Sequence, residues 1–176
     1  KWHLANDMIP DAPFPSAYGY DDYGSYNCSG PQMFVHDDVK SAIPFMKKSH
    51  AEGKPFFINL WMHEPHTPFH VDPKLQKLFP DLPEADNIYA ATLYHADLRI
   101  GQLLDALDDL KISDQTLVIF SSDNGPARGS PNSPIALSYD SATGPGYGIG
   151  AAKGITGGRR AFKGCLLYTS PSPRDG

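Results

Sequence analysis

The first clear periodicity along the chain begins at Asp37. From there to Glu52, Val39, Ala42, Ile43 and Met46 recur at the spacing of one helix face, and Asp37 and Asp38 stand at the entrance, where a helix N-terminus favours negative charge. Pro44 lies inside this pattern and is the point at which such a helix would kink. Gly53 closes it. Pro55-Phe56-Phe57-Ile58-Asn59-Leu60-Trp61 then forms a nearly continuous apolar run, the pattern of a strand buried on both faces. A second helix is predicted from Asp86 to Lys111, with Ile88, Leu93, Leu103, Leu104, Leu107 and Leu110 as its apolar stripe. Thr116-Leu117-Val118-Ile119-Phe120-Ser121 reads as a further buried strand, halted by Asp123-Asn124-Gly125. Helix, strand, helix, strand predicts an α/β fold with a parallel sheet and flanking helices.

Two long stretches carry no period. Residues 5–33 are rich in Pro, Gly, Tyr and Asp, and their aromatics (Phe14, Tyr18, Tyr20, Tyr23 and Tyr26) argue for an ordered loop that buries them. Residues 126–164 are rich in Gly, Pro and Ser, and contain a basic cluster of Lys153, Arg159, Arg160 and Lys163. A loop of that length inside a domain is usually functional or disordered.

Composition changes this picture mainly by exclusion. With 176 residues, 40% hydrophobic and 20% charged, the chain suits one globular domain with a core. Its longest apolar stretches, Pro55–Met62 and Leu117–Phe120, are strand-sized, so no membrane span is expected. A net charge of -5 argues against nucleic acid as a partner. It also means that an anionic substrate would have to be drawn by local cations, because the bulk field repels it. Cys28 and Cys165 are too few for a disulfide framework and too far apart for a zinc pair.

The candidate chemistry lies where the two predicted strands end. In open α/β sheets, ligands bind beyond the carboxyl ends of strands. Asp123 and Asn124 follow one strand, and a carboxylate beside an amide oxygen suits a hard cation such as Ca²⁺. An ordinary Asp-Asn-Gly turn would look the same. His63-Glu64-Pro65-His66-Thr67-Pro68 follows the other strand, with prolines stiffening the loop that carries the imidazoles. It reads either as a solvated surface loop or as part of a site; His-x-x-His without a third nearby ligand is weak evidence for zinc. Lys1 and His3 flank Trp2, and glycines 154, 157, 158 and 164 in the basic cluster would let backbone approach an anion.

Four of these motifs, in order, resemble the sulfatase family of the alkaline-phosphatase-like superfamily. Lys1-Trp2-His3-Leu4 is similar to its Lys-Trp-His segment, and Phe56–Pro68 to its strand ending in His-x-Pro. Leu117–Gly125 is similar to its strand ending in Asp-Asn-Gly, and Arg160-Ala161-Phe162-Lys163-Gly164 to the start of its Lys-Gly segment. The arylsulfatase and N-acetylgalactosamine-6-sulfatase-like branch is the most similar. The resemblance implies a calcium-dependent sulfuric ester hydrolase with an incomplete alkaline-phosphatase-like domain here. Lys1 and Lys163 would bind sulfate oxygens, and His66 would hydrogen-bond the leaving side; of the two loop histidines, it matches the motif. His3 would orient a formylglycine nucleophile, and Asp123 and Asn124 would be calcium ligands. The substrate would be a sulfate ester, a sulfated glycan or aryl sulfate, handled by an exported (periplasmic or extracellular) protein. Two alternatives are a phosphate or phosphonate monoester hydrolase of the same superfamily and a non-catalytic anion- or calcium-binding relative.

The Cys/Ser-x-Pro-Ser-Arg motif whose first residue becomes formylglycine is not found in residues 1–176. Ser170-Pro171-Ser172-Pro173-Arg174 has Ser where the motif has Pro, and Cys28 lacks both Pro and Arg. The chain therefore reads as an internal fragment, expected to be inactive alone, with residues 1–164 as the sulfatase catalytic portion. The tail 165–176 breaks from the family pattern after Gly164 and resembles a translated sequencing adapter.

Overall fold

A helix, α1, spans Asp38–Ala51 and buries Val39, Ala42, Met46 and Ser49. The periodicity placed this helix within a residue at each end. Pro44 lies inside it without ending it. Its C-terminus is closed by Gly53 at φ +64°, with Gly53 N–H donating to the His50 carbonyl (3.0 Å) and Lys54 N–H to that of Ser49 (2.9 Å). This paired arrangement satisfies the last carbonyls and needs a left-handed residue, which glycine adopts without a Cβ clash. The computed structural model describes residues 13–24, 38–127, 132–141, 144–155 and 163.

Strand β1 is Phe69–His70, and a single-turn helix α2 follows at Pro73–Gln76. Asp72 caps α2 by accepting from Lys74 N–H at 2.8 Å, with Pro73 at the position where a missing N–H costs nothing. The long helix α3 runs Glu84–Asp109, with Glu84 and Asp86 in its first turn. It ends with the same pair of bonds as α1: Lys111 N–H to Asp108 O (2.9 Å) and Ile112 N–H to Leu107 O (3.1 Å). Here Lys111 takes the left-handed φ of 59°.

Helix α3 organises the core as two clusters. Near its start, Ile88 and Ala91 pack with Phe69, Val71 and Ala151; near its end, Ala106 and Leu107 pack with Met46 of α1 and with Phe56 and Ile58. The sequence stripe is right for Ile88, Leu103, Leu107 and Leu110, but Leu93 and Leu104 are exposed. Between the clusters, Arg99 is 5% exposed and its guanidinium pairs with Asp38 at the start of α1. Val39 N–H also donates to Asp38 Oδ1 (2.8 Å), so one carboxylate caps α1 and anchors α3. Removing one partner of a buried pair leaves a stranded charge, which typically costs about 3–5 kcal/mol. Arg99→Ala should therefore lower the urea midpoint sharply, while Arg99→Met with Asp38→Leu should recover most of it. Little or no loss in Arg99→Ala would show that the pair is a surface contact energetically.

Strands β2 (Ala136–Ser141) and β3 (Gly144–Tyr147) complete a three-stranded sheet in the order β1-β3-β2. Both pairings are antiparallel, with Phe69 opposite Tyr147 and His70 opposite Gly146, and with an irregularity between Ala136 and Asp140. The next turn, 149–151, lies so close to the chain at Ser133 and Pro134 that a Cβ on Gly150 would sit 2.3 Å from the Ser133 carbonyl oxygen.

Two expectations are corrected here. The parallel sheet is not formed: among the described residues, the runs at 55–61 and 116–121 are extended but enter no ladder. Leu117, Ile119 and Phe120 are each more than 80% exposed. In the other run, Phe56 and Ile58 pack on the helices while Phe57 and Trp61 face outward. Apolar pattern gives such runs their strand conformation, but a ladder also needs a neighbouring backbone, and the described residues supply none. The second correction concerns the aromatics of the first loop. Phe14, Tyr18 and Tyr23 are exposed, and Phe14 stacks on Tyr23 with ring centroids 6.4 Å apart, so none of the three is buried in the core. Tyr20 accepts a hydrogen bond from Asn59 (2.7 Å); Tyr26 lies outside the described residues.

Candidate active site

The loop that follows the first extended run turns on its own hydrogen bonds. His66 N–H donates to the His63 carbonyl (2.8 Å), and the His63 ring bonds through Nε2 to the Pro68 carbonyl (2.9 Å). A carbonyl can only accept, so Nε2 carries the proton and the neutral ring has its lone pair on Nδ1. His66 is half-buried, and its Nδ1 lies 2.5 Å from the Thr67 carbonyl oxygen. By the same logic Nδ1 of His66 is the donor, so this ring can donate from Nε2 only as an imidazolium. Phe69 and His70 carry the chain straight on into β1, which fixes the loop's exit.

His63 is 4% exposed, and its ring lies 5.6 Å from that of His66 and 6.2 Å from that of His70, centroid to centroid. Burial pushes the His63 pKa down to about 4, against the opposing pull of the Pro68 carbonyl and the Glu64 charge. The folded state therefore holds this ring neutral where an unfolded histidine is already protonated. Stability from this group is complete above about pH 6.5 and falls as the pH drops toward 4, by about 3 kcal/mol in all. Urea titrations across that window should show the loss in the native protein and its disappearance in His63→Gln. A variant that loses stability in parallel with the native protein would assign the effect to other groups.

Asp123 and Asn124 follow the second extended run and are exposed. The Ser122 hydroxyl donates to the Asn124 carbonyl (2.7 Å), and Asn124 Nδ2 donates to the Gly125 carbonyl (2.8 Å), which leaves the amide oxygen as its acceptor. One carboxylate and one amide oxygen are the donor types a calcium ion takes, but they fill only part of a shell of about six to eight oxygens. No group of three or more His, Cys, Asp or Glu side chains among the described residues is arranged to hold a metal. Asp123 and Asn124 match calcium in donor type alone.

Lys163 is exposed, and its backbone N–H donates to the Pro126 carbonyl (3.0 Å), two residues beyond Asn124. The structure thus ties the backbone of one basic-cluster residue to the residue that follows the Asp-Asn-Gly turn. Lys1 and His3 lie outside the described residues. The histidine loop and the Asp-Asn-Gly turn are connected through α3. Phe69 meets Tyr89 edge-on with centroids 5.9 Å apart, and a Cβ on Gly154 would lie 2.8 Å from the Tyr89 hydroxyl and 2.6 Å from Pro126 Cβ. Lys153 adds an ion pair with Asp86 of α3 at 3.8 Å. Sequence reasoning did not single out Tyr89, His70 or the packing role of Gly154. Tyr89 sits in the predicted helix next to Ile88, but nothing in the spacing says that its hydroxyl faces another loop.

The chain is a mixed helix-and-sheet structure whose histidine, carboxylate and amide candidates stand on the segments that follow its two extended runs. The match of residues 2–156 to the Sulfatase family model makes the assignment specific: the chain belongs to the sulfatase family. It is 25% identical to iduronate 2-sulfatase of Homo sapiens over 139 residues, covering 52% of this chain and 25% of that protein. To N-acetylgalactosamine-6-sulfatase of Canis lupus familiaris it is 29% identical over 176 residues, covering 77% of this chain and 32% of that protein. A crystal structure titled Ps i-CgsB is similar at 32% identity with a TM-score of 0.49, covering 51% of this chain and 20% of that one. The chain thus spans about a quarter to a third of the length of these two relatives. No helix among the described residues is long and apolar enough to cross a membrane.

Proposed function

We propose that this chain supplies part of the active site of a sulfate-ester hydrolase whose remaining parts lie in a longer protein. The observation that supports this best is the Lys163–Pro126 backbone contact in a sulfatase-family chain, which ties Lys163 to the residue after the Asp-Asn-Gly turn. In the longer protein, residues 55–61 and 116–121 become strands of the parallel sheet of an alkaline-phosphatase-like domain. Their exposed apolar side chains are consistent with that role.

Sulfuryl transfer, like phosphoryl transfer, depends mostly on positioning and on stabilising charge at the non-bridging oxygens. Lys163 binds one of those oxygens, with Lys1 serving another. His66, protonated at Nε2, hydrogen-bonds the leaving oxygen and gives it the proton as the ester bond breaks. His3 orients the nucleophile, a formylglycine, which when present supplies the attacking hydroxyl. Asp123 and Asn124 would offer oxygen ligands to a calcium ion, which when bound would supply positive charge to the site. The substrate is a sulfated glycan: two relatives are named for sulfated sugars, and a chain of charge -5 must recognise an anion by local groups. Such polymers lie outside the cytoplasm, so an exported protein is proposed.

The test is turnover by the full-length protein of an aryl sulfate and an aryl phosphate with the same leaving group. Preference for the sulfate is expected. Preference for the phosphate would make it a phosphate monoester hydrolase, and turnover of neither would leave an anion- or calcium-binding protein.

A further inference from the structure

We propose that His63 is the positioning residue for His66, holding the 63–68 loop in the shape that aims the His66 ring; this rests on the sulfate-ester reading above. His63 contacts the loop at two points. Its carbonyl takes the His66 amide proton at 2.8 Å, and its ring donates from Nε2 to the Pro68 carbonyl at 2.9 Å. One residue therefore ties the middle and the far end of the loop, with His66 enclosed between the two ties. The ring is 4% exposed and 5.6 Å from the His66 ring, centroid to centroid, so it also walls one side of the imidazole it orients.

The chemistry of the brace requires a donor at the Nε2 position and a neutral ring. A protonated His63 would keep the Pro68 bond but add a positive charge beside an imidazolium at His66. Burial keeps His63 neutral, so the proton-donating role falls to His66 alone. His66 carries its own tie from Nδ1 to the Thr67 carbonyl, and that carbonyl is held in place only while the loop keeps its turn. Loss of the His63 donor thus releases the group that orients His66. A misplacement of about 1 Å at a reacting group costs about 10²-fold in rate.

The experiment uses the full-length protein with His63→Ala, His63→Gln, His66→Ala and the double variant His63→Ala/His66→Ala. Two substrates are compared: 4-nitrophenyl sulfate, whose leaving group needs little protonation, and a sugar 6-sulfate, whose leaving alkoxide needs a proton. His63→Ala should lower kcat on the sugar sulfate about 10²-fold with KM nearly unchanged, and lower it much less on the nitrophenyl ester. His63→Gln should restore most of the rate, because its amide N–H can reach the same carbonyl. In the His66→Ala background, His63→Ala should add almost nothing. An equal defect on both esters, no rescue by Gln, or full additivity with His66→Ala would overturn the proposal. Failure of the native protein to hydrolyse either ester would sink the sulfate-ester reading instead. The positioning claim is then decided by ¹⁵N NMR of the His66 ring, which should change tautomer population in His63→Ala but not in His63→Gln; an unchanged His66 spectrum in His63→Ala overturns it.

Discussion

His66→Ala in the full-length protein is expected to lower kcat on a sugar sulfate by about 10²- to 10⁴-fold, the range over which one positioned acid contributes. The expectation comes from the ring's hydrogen bonding. With Nδ1 held by the Thr67 carbonyl, the proposed donor to the leaving oxygen is Nε2, which brings a proton only in the imidazolium form. That bond strengthens as the ester breaks and negative charge grows on the leaving atom. Its loss should therefore fall on kcat and leave KM nearly unchanged. The defect should shrink on 4-nitrophenyl sulfate, since a nitrophenolate departs without help. Half-buried at a loop, His66 contributes little to either core cluster, so the variant should keep the native urea midpoint. A large rise in KM with kcat preserved would show that His66 holds the ground-state sulfate and has no part in expelling the leaving group.

The helices were legible in the sequence because their signal is local. Val39, Ala42 and Met46 mark one face of α1, and Gly53 supplies the left-handed residue at its end. The second predicted helix is two residues out of register with α3 at each end. Pro83 starts α3 without a side-chain cap, and Lys111 ends it in a conformation that sequence rules assign to glycine. Strands β2 and β3 were not legible. Gly144-Pro145-Gly146-Tyr147 has no strand pattern, and it becomes one by lying between two partners. The opposite error arose at 117–120, where pattern alone predicted a ladder that depends on a backbone elsewhere. The same division holds for the site. Asp123, Asn124 and His66 can be named as candidates from the sequence because they follow apolar runs. The contacts of Tyr89 and Gly154 and the His63–Pro68 bond depend on which surfaces meet, and no spacing in the sequence encodes that.

Asp123→Asn in the full-length protein is expected to weaken calcium binding by at least about tenfold, because ligand charge tunes such sites over several decades of affinity. The substitution is nearly isosteric and removes only the negative charge. Asp123 is exposed and carries neither core cluster, so misfolding is not the expected result. The neighbouring contacts from Ser122 to the Asn124 carbonyl and from Asn124 to Gly125 involve no atom of Asp123, and the turn should keep its shape. Calorimetric titration of calcium reads this directly, without reliance on activity. Turnover should fall with it by about 10²-fold or more, the scale on which loss of one electrostatic group beside a developing negative charge is felt. Raising calcium should restore part of the rate in the variant, since occupancy is one of the two things lost. Unchanged calcium affinity would show that Asp123-Asn124-Gly125 is a turn and nothing more. Weakened affinity with undiminished turnover at saturating sulfate ester would mean that the cation serves the fold and not the reaction.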